Sequence, residues 1–512
     1  MRISYIKNTT KSLFWGIINK MVIILMPFII RTILIYYLGA EYAGLSSLFT
    51  SILRVLNMAE LGFAGAVVFS MYKPVAEENT EKICALLSFY RKLYYTVGTV
   101  VMLIGIAMIP YLNYLVKGNC PTDINLKVLY LIYLVDTAAS YFLFSYKNVI
   151  LNVYQRIDVV SNISTVIHII IYVMQILILV VLRNYYAYII LEIAYTIINN
   201  IVVARYVSKK FPQYKCEGKL EKTEKRSIIK NVYGMLLFKI CSVTRNSLDN
   251  IFISAFIGLK AVATYGNYYY IFSAVANIQA VIMDSMKGAI GNKIAIDSPE
   301  KNHEDMLVFM FIYAWFSGWC AICMLCLYQP FIEVWVGKEM LLNTPTMMMF
   351  CFYFYVTSMG AIRFLYHQSA GLFWQWRYWT VAEALVNIIG NWILVQTLGL
   401  FGVVTATVIS LLTIDFGFST FIVYKFYFKN GKIWMYFRDH ILYLSVSAIV
   451  GIITYAICSL VRTEGILTIV VRLIICIVIP NLLFYLSYRH LKVFEKANEI
   501  RRKVMKFVLK KE

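Results

Sequence analysis

SLFWGIINKMVIILMPFIIRTILIYYL, residues 12–38, decides how the rest of the chain is read. Its length suits a helix crossing a bilayer, because about 20 apolar residues cover the ~30 Å hydrocarbon core. Lys20, Pro27 and Arg31 interrupt it. At ~100° per residue the three fall within a stripe of roughly 40° on one helix face. Lipid offers nothing to two cations on one face, whereas a wet cavity does.

Composition extends this reading to the whole chain. Of 512 residues, 61% are hydrophobic and 15% charged, against about 25% charged in a soluble protein. Mean hydropathy is +0.70. Long apolar runs recur with no polar block large enough for a soluble domain, so an all-α integral membrane protein is expected. Residues 1–11 are short, polar and basic, and no small-x-small cleavage site closes the run behind them, so a retained first helix is expected.

The periodicity predicts about 14 transmembrane helices, at 12–38, 42–72, 93–116, 126–146, 159–182, 185–206, 228–257, 262–290, 306–328, 346–367, 378–398, 400–424, 441–461 and 466–488. On this assignment odd-numbered loops hold six Lys and Arg, and the termini with even-numbered loops hold 36. The positive-inside rule then places both termini in the cytoplasm. The 36 include Arg205, Lys230, Lys287 and Arg363, which stand near the inner ends of their helices; the remaining cations, Lys20, Arg31, Arg54, Lys239, Arg245 and Arg472, fall inside the bilayer.

Laying Gly39 on Gly258 without a gap also lays Glu81-Lys82 on Glu300-Lys301. The same alignment pairs Lys20 with Lys239 and Arg31 with Asn250. Side-chain identity is poor, so the repeat is one of topology: two parallel six-helix units. The expected domains are an N-terminal lobe over 1–207, a basic cytoplasmic connector over 208–227, a C-terminal lobe over 228–425, two additional helices within 426–488, and a basic amphipathic tail over 489–512. In that tail Val493, Ala497, Ile500, Val504 and Phe507 recur at three- and four-residue steps, and Lys492, Lys496, Arg502, Lys503, Lys506, Lys510 and Lys511 fill other positions. This suits a helix lying on an anionic leaflet.

A cation at the centre of a spanning helix costs ~2.5–3.5 kcal/mol on insertion scales, so deep cations face cavities or partners. Lys20, Arg54 and Lys239 lie ~12–18 Å along their helices and are the expected cavity cations. Arg31 is nearer the outer surface, where snorkelling to the interface competes with a cavity role. Arg245 and Asp249 stand four apart, a spacing suited to a salt bridge. Asp136 and Asp415 are deep enough for a coupling site or a charge pair. Glu60, Glu192, Asp284 and Glu383 are the other acids, dispersed along the chain. His168 reads as a packing residue. Tyr268-Tyr269-Tyr270 reads as helix packing in preference to a sugar platform. Cys320, Cys323 and Cys326 mimic a metal spacing, but no acid or His accompanies them, so they read as small core residues and no metal is expected. No catalytic group and no cofactor are expected; a proton or sodium gradient is the open choice of driving force.

Three passages carry a family likeness: YYLGAEYAGLSSLFTSILRVLNMAELGFAGAVVFSMYKP (36–74), SYKNVILNVYQRIDVVSNIS (145–164) and VQTLGLFGVVTATVIS (395–410). In these the chain resembles the polysaccharide-transport (Wzx-type) lipid-linked oligosaccharide flippases of the multidrug/oligosaccharidyl-lipid/polysaccharide (MOP) exporter superfamily. The resemblance implies two MATE-like lobes in a bacterial cytoplasmic membrane. It also implies translocation of an undecaprenyl-pyrophosphate-linked oligosaccharide from the cytoplasmic to the outer leaflet, for O-antigen, capsule or exopolysaccharide synthesis. Its partners would be the polyprenyl-pyrophosphate-linked glycan, the bilayer, and the polymerase and glycosyltransferases of the same pathway, with no nucleic acid. The family offers no motif residue to transfer singly. A cation-coupled drug or metabolite exporter of the same superfamily is the first rival, and would need a dominant acidic site in one lobe. A membrane polymerase or glycosyltransferase is the second; it commonly needs a sizeable outer loop bearing catalytic acids, and the predicted outer loops are short and lack paired acids or DxD.

Overall fold

A computed structural model describes residues 22, 25–57, 67–68, 70–75, 77–118, 120–154, 156–429 and 432–509. Among these, the side chains of 157, 227, 230–242, 244–246, 284–285, 289, 295, 373 and 503–509 are outside the description. Helices account for nearly all of it, and no strand occurs among the described residues. They are α1 Leu25–Tyr37, then α2 Ala40–Leu56, α3 Thr80–Met108, α4 Leu126–Phe142, α5 Ile157–Leu177 and α6 Tyr185–Lys210. The chain continues through α7 Lys222–Phe256, α8 Leu259–Ile296, α9 Pro299–Val336, α10 Thr344–Met359, α11 Ala361–Ser369 and α12 Phe373–Ser410. Last come α13 Ile433–Ser459, α14 Gly465–Tyr488 and α15 Lys492–Leu509. Eight helical runs among the described residues are long and apolar enough to cross a membrane, or nine if the pair Leu126–Phe142 and Ser145–Val153, bent by 44°, counts as one. This is a multi-pass, all-α membrane protein.

Polar punctuation sets where helices begin. Asn125 caps α4 by accepting from the Lys127 and Val128 amides, and Asn184 caps α6 by accepting from Ala187. Two more caps fall at matching positions of the repeat: Asn79 accepts from the Lys82 amide at 2.9 Å, and Ser298 accepts from the Lys301 amide at 3.4 Å. The glycines that define the same alignment, Gly39 and Gly258, hold φ values of 118° and 125°. Only glycine takes that backbone without strain.

Some boundaries differ from those expected. The helix expected over 42–72 ends at Leu56, where Asn57 turns off with φ −80° and ψ 1°. Within Phe373–Ser410, Gly399 stands at φ 58° and ψ −133°. Here the expected boundary holds: the break at Gly399 falls between the helices expected over 378–398 and 400–424. Beyond Ser410 the helix widens into π turns over Leu411–Phe418 and Tyr424–Phe428.

The chain packs as two units, residues 1–263 and 264–512. In the first, the polar stretch after Lys210 does not hang free. Phe211 and Tyr214 stack on Tyr154, and Leu220 and Ile228 join a core that includes Val67, Leu87 and Val149. Lys82 donates to Glu224 at 2.5 Å. Burying those aromatic and aliphatic faces is what holds so polar a segment against the helices. In the second unit α9 is the central element, touching α10, α11, α13, α14 and α15. The tail helix α15 meets α9 through Phe494, which stacks on Trp315, and through Lys496, which pairs with Glu304 at 3.0 Å.

Candidate functional site

Helix periodicity divides the polar residues of α2 between two faces. Ser46, Thr50 and Arg54 recur every four residues on one, and Ser47 and Ser51 lie on the next. The first face opens on a cavity of about 380 Å³ in the first unit. Ser46, Thr50, Arg54 and Asn57 of α2 line it with Tyr133, Asp136 and Thr137 of α4 and Tyr188 and Glu192 of α6. Arg54 is exposed there. The Asp136 Oδ1 atom is shielded from solvent and has no hydrogen-bond partner. Glu192 accepts from the Gln175 side-chain amide at 2.7 Å. One cation and two carboxylates thus share one pocket, a set able to bind an anionic group and to take up a proton or a small cation.

The acids are therefore less dispersed than their sequence positions suggest. Asp136 and Glu192 belong to different helices, and the packing of α4 on α6 brings both to this cavity. Glu192 carries no role in the sequence reading; its depth in a helix of the same lobe as Asp136 is the available signal.

The second face of α2 meets α7. Ser51 Oγ accepts from the Asn250 side-chain amide at 2.9 Å, and Ser47 Oγ accepts from Arg31 at 3.3 Å. Arg31 also donates to the Ala263 carbonyl at 3.1 Å. Its guanidinium is thus engaged along this seam. Arg31 and Asn250, paired by the repeat alignment, reach serines one turn apart on the same helix. A Cβ at Gly44 would strike the Leu259 carbonyl, so the backbones approach closely there. Lys117 closes the end of α7, its amide donating to Ser254 O at 2.9 Å and its ammonium to Phe256 O at 2.6 Å. A cation on the last carbonyls suits the negative end of a helix.

Of the other expected site residues, Lys20 lies outside the described residues, as does Glu60. Lys239 and Arg245 lie on α7, with their side chains outside the description. Asp249 is 1% exposed. Asp415 is in the second unit, where its carboxylate faces Arg363 at 3.0 Å. The loop census places Arg363 with the inner loops, and the structure corrects that: it is 1% exposed. One arm donates to the Asp415 carboxylate and the other to the Asp415 carbonyl and to Thr420 Oγ1. The π turn over Leu411–Phe418 changes the carbonyl register, which leaves that backbone acceptor available. His168 stacks on Tyr195 with ring centroids 3.7 Å apart. Tyr268 is buried and donates to Gln329, while Tyr269 stacks on Phe272. His168 and Tyr268 thus pack between helices, while the Tyr269 contact lies within α8 itself.

No family model matches the sequence, and no curated protein matches it significantly. Solved structures do share its fold. One is the lipid II flippase MurJ in an inward closed conformation, with a TM-score of 0.67 and 14% identity over 94% of this chain and 99% of that one. An inward-facing MATE-family multidrug resistance transporter of the MOP superfamily gives 0.61 and 14% over 83% of this chain and 99% of its own. A MOP superfamily transporter from Pyrococcus furiosus, described with a binding pocket of reversed polarity, gives 0.54 and 15% over 81% and 95%. At such identities the likeness is one of fold, and the fold of this chain is that of the MOP superfamily transporters.

Proposed function

We propose that the chain is a flippase, not an enzyme, moving an undecaprenyl-pyrophosphate-linked oligosaccharide from the cytoplasmic to the outer leaflet for surface polysaccharide synthesis. Arg54, exposed on the polar cavity of the first unit, is the observation that carries this reading. A guanidinium forms paired, charge-assisted hydrogen bonds with phosphate oxygens. The flippase fold extends over 94% of the chain, against 83% for the MATE fold, which also supports it. The polyprenyl tail would stay in lipid while the sugars cross the wet interior. Lys20 and Lys239 are proposed as further headgroup cations, in a chain of fourteen spans with both termini in the cytoplasm of a bacterial plasma membrane.

The test is export of the polymer by Lys20→Ala, Arg54→Ala and Lys239→Ala variants whose membrane insertion is verified. Loss of export in the inserted variants is expected. Normal export by all three overturns the cationic-cavity reading.

A cation-coupled exporter is the second reading, and the approach of Asp136 to Glu192 favours it. Its signature is drug efflux that Asp136→Asn abolishes while surface polymer is unchanged. Fusions of reporter domains to either terminus test the topology; an extracytoplasmic signal from one overturns it.

A further inference from the structure

Ten cysteines occur in the chain, and the second unit draws several of them to one place. Cys326 of α9, Cys458 of α13 and Cys476 of α14 have their sulfur atoms all within 4.8 Å of one another. Each is fully buried, and none is in a disulfide. Cys323, one turn before Cys326 on the same helix, also lies near Cys476. Three helices thus aim sulfur at one point.

Cys320 and Cys326 of α9 are buried in the core, as expected, and the convergence of Cys326 with Cys458 and Cys476 is a further feature. The spacing of Cys320, Cys323 and Cys326 is not the relevant signal. The partners, Cys458 and Cys476, come from helices far along the chain, and only the packing of α9, α13 and α14 joins them.

A second feature points at the same spot. Arg472 lies one turn before Cys476 on α14, and its guanidinium donates to the Cys326 carbonyl at 3.3 Å. The Nε of Arg472 is shielded from solvent with no partner. A cation placed beside thiols in an apolar surrounding costs energy unless negative charge is near it. Neutral thiols supply none; thiolates do.

We propose that Cys326, Cys458 and Cys476 form a binding site for a thiophilic d10 metal ion, with Cys323 as the available fourth donor and Arg472 as the balancing charge. Metal–sulfur bonds of ~2.3 Å set sulfur atoms about 3.8 Å apart, a spacing the cluster reaches with small rotamer shifts. Soft thiolates select such ions over magnesium or calcium. Binding of a divalent ion by three thiols releases three protons and leaves one net negative charge. Arg472 offsets that charge, so the loaded site is neutral in the low-dielectric interior. The site joins α9, α13 and α14, and metal binding there would stiffen that contact.

Zn(II) is the probe, with Cd(II) for spectroscopy, on the full-length detergent-purified protein after phosphine reduction. About one Zn(II) per chain is expected to survive gel filtration, and Cd(II) is expected to give a sulfur-to-metal charge-transfer band. Cys326→Ser, Cys458→Ser and Cys476→Ser should each lose both signals, while Cys351→Ser, on α10, keeps them. Arg472→Gln should weaken Zn(II) binding by roughly 10- to 100-fold, with partial recovery in Arg472→Lys. In the unaltered protein Zn(II) should slow alkylation of Cys326, Cys458 and Cys476 and leave Cys351 unaffected, a readout that needs no variant to fold. Zn(II) retention equal to that of the triple serine variant, or uniform alkylation of all four cysteines with and without Zn(II), overturns the site.

Discussion

The Asn250 amide donates to Ser51 Oγ at 2.9 Å, tying α7 to α2 beside the tight backbone approach at Gly44. If transport alternates between the two repeats, this seam opens in each cycle. Neutral hydrogen bonds contribute only ~0.5–1.5 kcal/mol each, which suits a contact that must break. A disulfide between Ser51→Cys and Asn250→Cys should hold it shut. Export should stop on oxidation and return on reduction; full export by the oxidised pair would mean the seam stays closed throughout.

Arg54 should respond to its charge and to its shape separately. Removing one charge-assisted contact costs about 1.5–3 kcal/mol, roughly 10- to 150-fold in affinity. Arg54→Ala is expected to weaken binding of a lipid-linked pyrophosphate by that factor. Arg54→Lys keeps the charge without the fork, so intermediate affinity is expected. Binding of a pyrophosphate-lipid probe to protein in nanodiscs measures both.

The pair formed by buried Arg363 and half-buried Asp415 makes an asymmetric prediction. Taking away one partner strands the other, at a cost of about 3–5 kcal/mol, whereas replacing both with apolar groups is far milder. Asp415→Ala should therefore lower thermal stability in detergent more than the double substitution Arg363→Met, Asp415→Leu. Equal losses in the two would show that the pair is not held as a unit.

Much of this architecture was legible in apolar periodicity, because a helix that crosses lipid must satisfy its own backbone and so announces its length. The readings of His168 and Tyr268 as packing groups agree with the aromatic rings of neighbouring helices beside them, for a similar reason: large rings fill helix crevices. What was not legible was convergence. Asp136 and Glu192 come together only when α4 packs on α6, and no spacing along one helix encodes that. Arg363 misleads because proximity to a predicted helix end counts as exposure in a loop census. Its burial depends on Asp415 and on a π turn well downstream in the chain.

Gly399 offers a backbone test. With φ 58° and ψ −133°, a side chain there is strained by of order 1–3 kcal/mol. Gly399→Ala should lower the unfolding temperature and the yield of inserted protein, although no cavity residue is touched. Unchanged stability would mean that the break at Gly399 relaxes into continuous helix.

The stretch after Lys210 can be checked through Cys216. Burial pushes its thiol above the ordinary cysteine value, partly countered by a hydrogen bond with Tyr146. Less thiolate is then present at neutral pH, so alkylation should be slower than in denatured protein and should accelerate only at higher pH than for a free thiol. Reaction at the denatured rate would mean that this stretch is not packed against its neighbours.

The matched features at Gly39 and Gly258, and at Asn79 and Ser298, have a practical meaning for mutagenesis. The halves have kept their punctuation while their side chains diverged. Paired lesions follow: a Cβ added at either glycine should wound its own half in the same way, and removal of either cap should loosen the same turn of the corresponding helix. A substitution inside a span has no such twin. Damage that mirrors itself from one half to the other would mark backbone architecture, and damage confined to one half would mark the chemistry that half has acquired for itself.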